Sequence, residues 1–177
     1  MARMNSPVKK MINLKQFAFI GALAVIGTLM FVLTMIQPGT APEVQFNTIK
    51  GERITTSELR GKVVLVNFWA TDCAVCVREM PRITATYRKF APRGFETIAV
   101  AMRYDPPSHV VDYAQRNALP FKVALDVNGE LAQRFGNVSL TPTTFVIARD
   151  GRIVKQYLGE PDFEALHALL EKELQAG

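Results

Sequence analysis

Cys73 and Cys76, the only two cysteines in the chain, stand two residues apart in the run Val63-Val64-Leu65-Val66-Asn67-Phe68-Trp69-Ala70-Thr71-Asp72-Cys73-Ala74-Val75-Cys76-Val77-Arg78-Glu79-Met80-Pro81. Thiols at this spacing can exchange with disulfides, bind a soft metal ion, or simply cross-link. Placement decides among these. Val63 to Trp69 is short, apolar without alternation, and rich in β-branched and aromatic residues, which predicts a strand buried on both faces. Good helix formers follow as far as about Phe90, so the cysteines fall at a strand-to-helix junction, on the first turn of the helix. A sulfur there faces unpaired backbone N–H groups and the positive end of the helix dipole, both of which favour thiolate over thiol. Cys73 is then the expected nucleophile. Cys76, one turn deeper, can attack a mixed disulfide formed at Cys73 and release the product.

A four-ligand zinc site needs further cysteines or a suitable histidine pair, and the chain offers only His109 and His167, far apart. A purely structural staple is a poor reading too, since a loop this short closes little chain entropy. Both histidines are read as ordinary surface positions.

The apolar excess of the chain has an address. Phe17 to Ile36 is a run of 20 residues without a charge, which as a helix spans about 30 Å, the hydrocarbon thickness of a bilayer. The run is longer than a usual signal-peptide core, and the candidate small-residue cleavage site, Thr40-Ala41, is followed by Pro42, so an uncleaved anchor is favoured over a cleaved signal. Arg3, Lys9, Lys10 and Lys15 precede it with no acid among them, which by the positive-inside rule keeps the N-terminus in the cytoplasm. The expected organisation is a basic cytoplasmic segment at 1–16, a transmembrane anchor at 17–36, a Pro/Gly linker at 37–42 and an exported domain at 43–177. Setting those 4 residues aside leaves 17 of the 21 basic residues against 16 acids, so the net charge of +5 is mostly topology and gives no case for nucleic acid.

Within the domain, Val44 to Ile49 and Glu52 to Thr55 flank Lys50-Gly51 as a hairpin, and Ser57 to Arg60 make a turn before the central strand. Pro81 lies inside the helix and should bend it. Phe95 to Met102 and Phe121 to Leu125 are further strands, separated by a helix opening at Pro106-Pro107-Ser108 and running to about Ala118. Glu130 to Phe135 form a short helix stopped by Gly136. Thr143 to Ala148 and Ile153 to Tyr157 flank the Asp150-Gly151 turn as an antiparallel pair, and Phe163 to Leu174 carries the apolar spacing of a closing amphipathic helix. This is an α/β pattern with a mixed sheet.

The combination VVLVNFWAT-x-C-x-x-C-x-x-EMP, a Thr-Pro before a late strand, and a terminal hairpin plus helix resembles the membrane-anchored thioredoxin-like proteins of the TlpA/ResA/CcmG type, over about residues 43 to 175. The resemblance implies a thioredoxin fold with an added N-terminal β-hairpin and a thiol–disulfide oxidoreductase needing no cofactor beyond its own Cys73–Cys76 disulfide. It further implies action outside the cytoplasmic membrane, on the periplasmic side. The expected clients are protein disulfides, among them those of apocytochrome c, with re-reduction by a membrane thiol-electron transporter; the soluble domain is expected to be monomeric. In it Cys73 matches the attacking thiol and Cys76 the resolving one. Pro142 matches the cis-proline beside the dithiol, Thr141 the residue whose backbone pairs with an extended substrate, and Glu79 an acid kept near the dithiol. The functional reading of Glu79 is a proton acceptor or a carboxylate that raises the thiol pKa by like charge; the plain one is a solvated helix carboxylate. Trp69 is read as core or as substrate-binding rim.

Two departures stand out. Asp72 replaces the tryptophan usual before the first cysteine. Its carboxylate is expected to cap the N–H groups that would otherwise hold a thiolate and to repel that thiolate, raising the pKa of Cys73 and making the protein reducing. Asn67 stands where general thioredoxins carry a titrating Asp, which leaves Glu79 as the proton relay. The competing function is a Cu(I) metallochaperone using the two soft thiolates, for which no extra His or Met ligand near the dithiol is apparent.

Overall fold

The computed structural model describes residues 39–176. The expected anchor at 17–36 and the basic segment before it lie outside the described residues; among those described, no helix is long and apolar enough to cross a membrane. Seven strands and four helices form the domain. Strands β1 (Gln45–Asn47) and β2 (Arg53–Thr55) make the antiparallel hairpin. Strand β3 (Val63–Trp69) leads into helix α1 (Ala74–Phe90), then come β4 (Phe95–Ala101), α2 (Pro107–Arg116), β5 (Lys122–Leu125) and α3 (Glu130–Arg134). Strands β6 (Thr143–Ile147) and β7 (Ile153–Leu158) and helix α4 (Phe163–Gln175) close the chain.

The five-stranded sheet has the order β5-β4-β3-β6-β7, with β3, β4 and β5 parallel and β6 and β7 antiparallel. This is the expected mixed sheet with β3 at its centre. Every residue of β3 is buried. Val63, Leu65 and Trp69 face a cluster that includes Met80, Ile83 and Phe90 of α1, Val110 and Ala114 of α2, and Leu166 and Leu170 of α4. Val64, Val66 and Phe68 face Phe46 of the hairpin together with Leu131, Ala132 and Phe135. Two apolar faces explain why the strand lacks alternation.

Helix α1 runs on through Pro81 to Phe90, as expected, although Pro81 lacks the N–H which would reach the Val77 carbonyl. Two local expectations change. The first hairpin strand is shorter than its apolar pattern, because beyond Asn47 the chain leaves β2 for the sheet edge: Thr48 bridges Ala124, and the Ile49 N–H donates to the Val123 carbonyl at 2.9 Å. The expected linker is, in its described part, a strap. Ala41 is buried and its N–H donates to the Gly151 carbonyl at 2.9 Å, while the Ile153 N–H donates to the Gly39 carbonyl at 2.8 Å. The Pro/Gly composition of 37–42 signals a break in regular structure, and the edge of β7 supplies partners that composition does not encode.

Register also fixes the poles of the domain. Phe68 pairs with Thr143 and Val64 with Ile147, so the strap on the 150–153 turn sits at the end opposite Cys73.

Two backbone hydrogen bonds at about 0.5–1.5 kcal/mol each put the contribution of the strap at about 1–3 kcal/mol. A chain beginning at Pro42 should therefore unfold in urea with that much less free energy than one beginning at Pro38, at unchanged slope. Equal midpoints would show that the strap contributes nothing.

Candidate active site

The parallel register of β3 and β4 ends both strands at one pole, Trp69 opposite Ala101, and the antiparallel register of β6 starts it there, Thr143 opposite Phe68. The segment before β6 is thereby laid beside the start of α1. Cys73 and Thr141, 68 positions apart in the chain, come together: Cys73 Sγ lies 3.7 Å from the Thr141 carbonyl oxygen. The Thr141–Pro142 peptide is cis.

Cys73 and Cys76 are joined as a disulfide, with Cα atoms 5.2 Å apart. Cys73 is the cap residue itself, extended at φ −86° and ψ 103°, and its sulfur accepts the N–H of Cys76 at 3.2 Å. One of the orphan amides of the helix is thus satisfied by the sulfur. Cys73 is half-buried while Cys76 is fully enclosed, so Cys73 is the sulfur open to an incoming partner.

This arrangement corrects the expectation for Asp72. Its side chain is exposed, and the acceptor at the helix start is the Cys73 sulfur one position later. A residue preceding the cap is not placed to bond the N3 amide, so only the charge of Asp72 is left to act on the site.

Glu79 is not a solvated helix carboxylate. It is fully buried on the inner face of α1, where Asn67 Nδ2 of β3 donates to its Oε1 at 3.0 Å and also to Thr144 Oγ1 of β6 at 2.9 Å. Glu79 Oε2 and Asn67 Oδ1 have no protein partner. Burial pushes the carboxyl up from an ordinary 4.5 to about 7, against the lowering influence of the Asn67 hydrogen bond. Glu160 adds a further rise and Arg78 opposes it. Glu160 is itself paired with Arg78 at 3.3 Å and with Arg82 at 3.0 Å.

Trp69 is core rather than rim: it is fully buried and packs against Tyr113 with ring centroids 5.2 Å apart. Exposed apolar side chains instead flank the cis-proline segment: Leu140, 64% exposed, precedes Thr141, Leu158, 68% exposed, pairs with Thr143, and Tyr104, 53% exposed, has its hydroxyl against Thr141. His167 is also not an ordinary surface position; its Nε2 lies 2.9 Å from Thr86 Oγ1 and its ring stands edge-on to Phe90. Among the described residues no group of three or more His, Cys, Asp or Glu side chains could hold a metal ion.

Sequence reading missed Asp105. Its carboxylate is buried, accepting the Thr71 N–H through Oδ2 and the Thr71 hydroxyl through Oδ1, each at 2.6 Å. No local pattern could have marked it, since its partner lies 34 positions away.

The redoxin family model matches residues 37–170. The thiol-disulfide oxidoreductase ResA of Bacillus thuringiensis subsp. konkukian is 33% identical over 132 residues, covering 75% of each chain, and ResA of Bacillus subtilis is 32% identical over 127 residues, covering 72% of this chain and 70% of that one. A crystal structure of a thiol:disulfide interchange protein from Chlorobium tepidum superposes with a TM-score of 0.71 at 26% identity, over 78% of this chain and 97% of that one. With a cysteine pair bonded at a helix start beside a cis-proline, the chain belongs to the redoxin family and is a thiol–disulfide oxidoreductase of the TlpA/ResA/CcmG type.

Proposed function

We propose that this enzyme works as a membrane-tethered reductant of disulfides in exported proteins, apocytochrome c among the client class, and that a membrane thiol-electron transporter restores its dithiol. The observation that carries the chemistry is the Cys73 sulfur, half-open, holding a helix-start amide and lying beside the Thr141 carbonyl. The uncharged run 17–36 behind four basic residues supports the tether and the extracytoplasmic location.

In this reading Thr141 offers its backbone to an extended substrate, with Pro142 shaping that edge. The Cys73 thiolate attacks one sulfur of the client disulfide; the S–S bond breaks, a mixed disulfide forms, and the other client sulfur leaves as a thiolate. Cys76 then gives its proton to Glu79 and attacks Cys73 Sγ. The mixed disulfide breaks, the second client thiolate departs, and two electrons have passed from the Cys73/Cys76 dithiol to the client. Glu79, titrating near 7 one helical turn from Cys76, is matched to that proton transfer.

Three variants test this reading. Cys76→Ser cannot resolve, so it should accumulate mixed disulfides between Cys73 and exported proteins, read on non-reducing gels and by mass spectrometry; trapping nothing, or only cytoplasmic proteins, would sink the assignment.

Glu79→Gln should slow resolution of the mixed disulfide by on the order of 100-fold and flatten the rise of that rate across pH 6 to 8. The same variant tests stability. Because the folded-state pKa is raised from 4.5 to about 7, the native state holds the proton more tightly than the unfolded chain, so stability is full below 4.5 and is lost as pH rises through 7. In Glu79→Gln that loss should disappear from urea titrations of the oxidised protein.

The exposed charge of Asp72 disfavours the Cys73 thiolate by simple repulsion. Removing it in Asp72→Asn should raise the reduction potential by about 10–20 mV at low salt, from about 0.5–1 kcal/mol of exposed charge interaction, and the difference should shrink at high salt. An unchanged or lower potential would remove Asp72 from the account.

A further inference from the structure

Met102 to Asp105 is a four-residue turn that follows β4 and contains neither a cysteine nor the cis-proline, yet it is bonded to both halves of the site. Within the turn, the Asp105 N–H donates to the Met102 carbonyl at 2.9 Å; the Met102 N–H in turn donates to the Trp69 carbonyl at 3.0 Å. The Cys73 loop is a second turn, closed by the Cys73 N–H on the Ala70 carbonyl at 3.2 Å. The two turns are clasped by the buried Asp105 carboxylate, which takes both donors of Thr71 at 2.6 Å. A buried carboxylate with two hydrogen bonds of this length is held firmly, and it holds its partner as firmly. One residue earlier, the Tyr104 ring stands half in solvent with its hydroxyl 3.3 Å from Thr141 Oγ1.

We propose that this turn is the positioning element of the site. Asp105, through Thr71, fixes where Cys73 stands, and Tyr104 fixes the Thr141 segment. Together they set the gap between the sulfur that accepts the client sulfur and the backbone that accepts the client chain. The assignment rests on the proposed roles of Cys73 and Thr141. Its consequence is a division of labour: Asp105 and Thr71 act on every disulfide, because every disulfide must reach Cys73, whereas Tyr104 acts only on those with a polypeptide to align. None of the three exchanges electrons or protons with the substrate; all are positioning residues.

The test compares, in the full-length chain, second-order rates of the reduced enzyme with a polypeptide disulfide, insulin, and with a disulfide that has no peptide backbone, 5,5′-dithiobis(2-nitrobenzoate). Tyr104→Phe should lower the ratio of the insulin rate to the aryl disulfide rate by about 3-fold to 10-fold, the rate equivalent of one neutral hydrogen bond. Thr71→Val should lower both rates together and leave the ratio unchanged, and Thr71→Ser, which keeps the hydroxyl, should restore both. Because Thr71→Val is close to isosteric, it gives this arm of the test without the risk that Asp105→Ala carries for folding. An unchanged ratio in Tyr104→Phe, or rates in Thr71→Val equal to wild type, would overturn the positioning role. Failure of the underlying reading has a different signature: insulin reduction that survives Cys73→Ser.

Discussion

The hydrogen bond from the Cys76 amide to the Cys73 sulfur is the constraint on which the site depends, and it follows from how β3 ends. Seven consecutive buried residues leave that strand no freedom until Ala70, and α1 is already under way at Ala74. The chain must turn within four residues and present a helix start with amides lacking partners. In most helices an oxygen of Ser, Thr, Asp or Asn takes up such an amide; here a sulfur does. Negative charge on that sulfur is favoured by the amide and by the helix dipole, and disfavoured by the Asp72 carboxylate outside it. In the proposed mechanism the balance of these two effects, one inside the fold and one in solvent, governs how readily the dithiol gives up electrons.

Beneath the dithiol the fold tolerates a costly feature. Glu79, Asn67 and Thr144 form a buried polar group from three elements, and two of its oxygens lack protein partners. Replacing a buried polar group of this kind by well-packed apolar side chains is often neutral or stabilising. What the polar trio supplies is a carboxyl that burial holds near neutrality, on the same helical face as the enclosed Cys76. Asn67 matters as a donor: it anchors one carboxylate oxygen without titrating itself, so the proton belongs to Glu79. A local rule of good packing is broken at the position where the proposed mechanism places its proton transfer.

The clasp of the two turns shows the same economy in the backbone. In the proposed positioning, residues with no redox chemistry carry the geometry of the site, through the hydrogen bonds of Asp105 to Thr71 and of Tyr104 to Thr141. Thr71 and Thr141 contribute both backbone groups and hydroxyls, which lets one side chain be located by another without crowding the sulfur.

Much of this was legible in the residues alone. The unbroken apolar run of Val63 to Trp69 specified a central two-faced strand, the following helix formers placed both cysteines at its mouth, and the turn residues around Asp150-Gly151 specified the closing hairpin. These readings succeed because each depends on neighbours in sequence: periodicity, capping and turn chemistry act over a few residues. What misled was equally local. Gly39 to Pro42 has the composition of a linker and is a strap, Asp72 has the chemistry of a cap and stands one residue too early, and Trp69 has an amphipathic ring and is wholly enclosed. By itself, then, the sequence determined the fold class, the cysteine pair and its place at a helix start. Only the tertiary structure decided that Glu79 is buried on Asn67, that Cys73 faces the Thr141 carbonyl, and that Asp105 and Tyr104 join the two halves of the site. The reason is that those contacts are set by the register of β6 and β4 against β3, and register across a sheet brings together residues dozens of positions apart that no pattern along the chain connects.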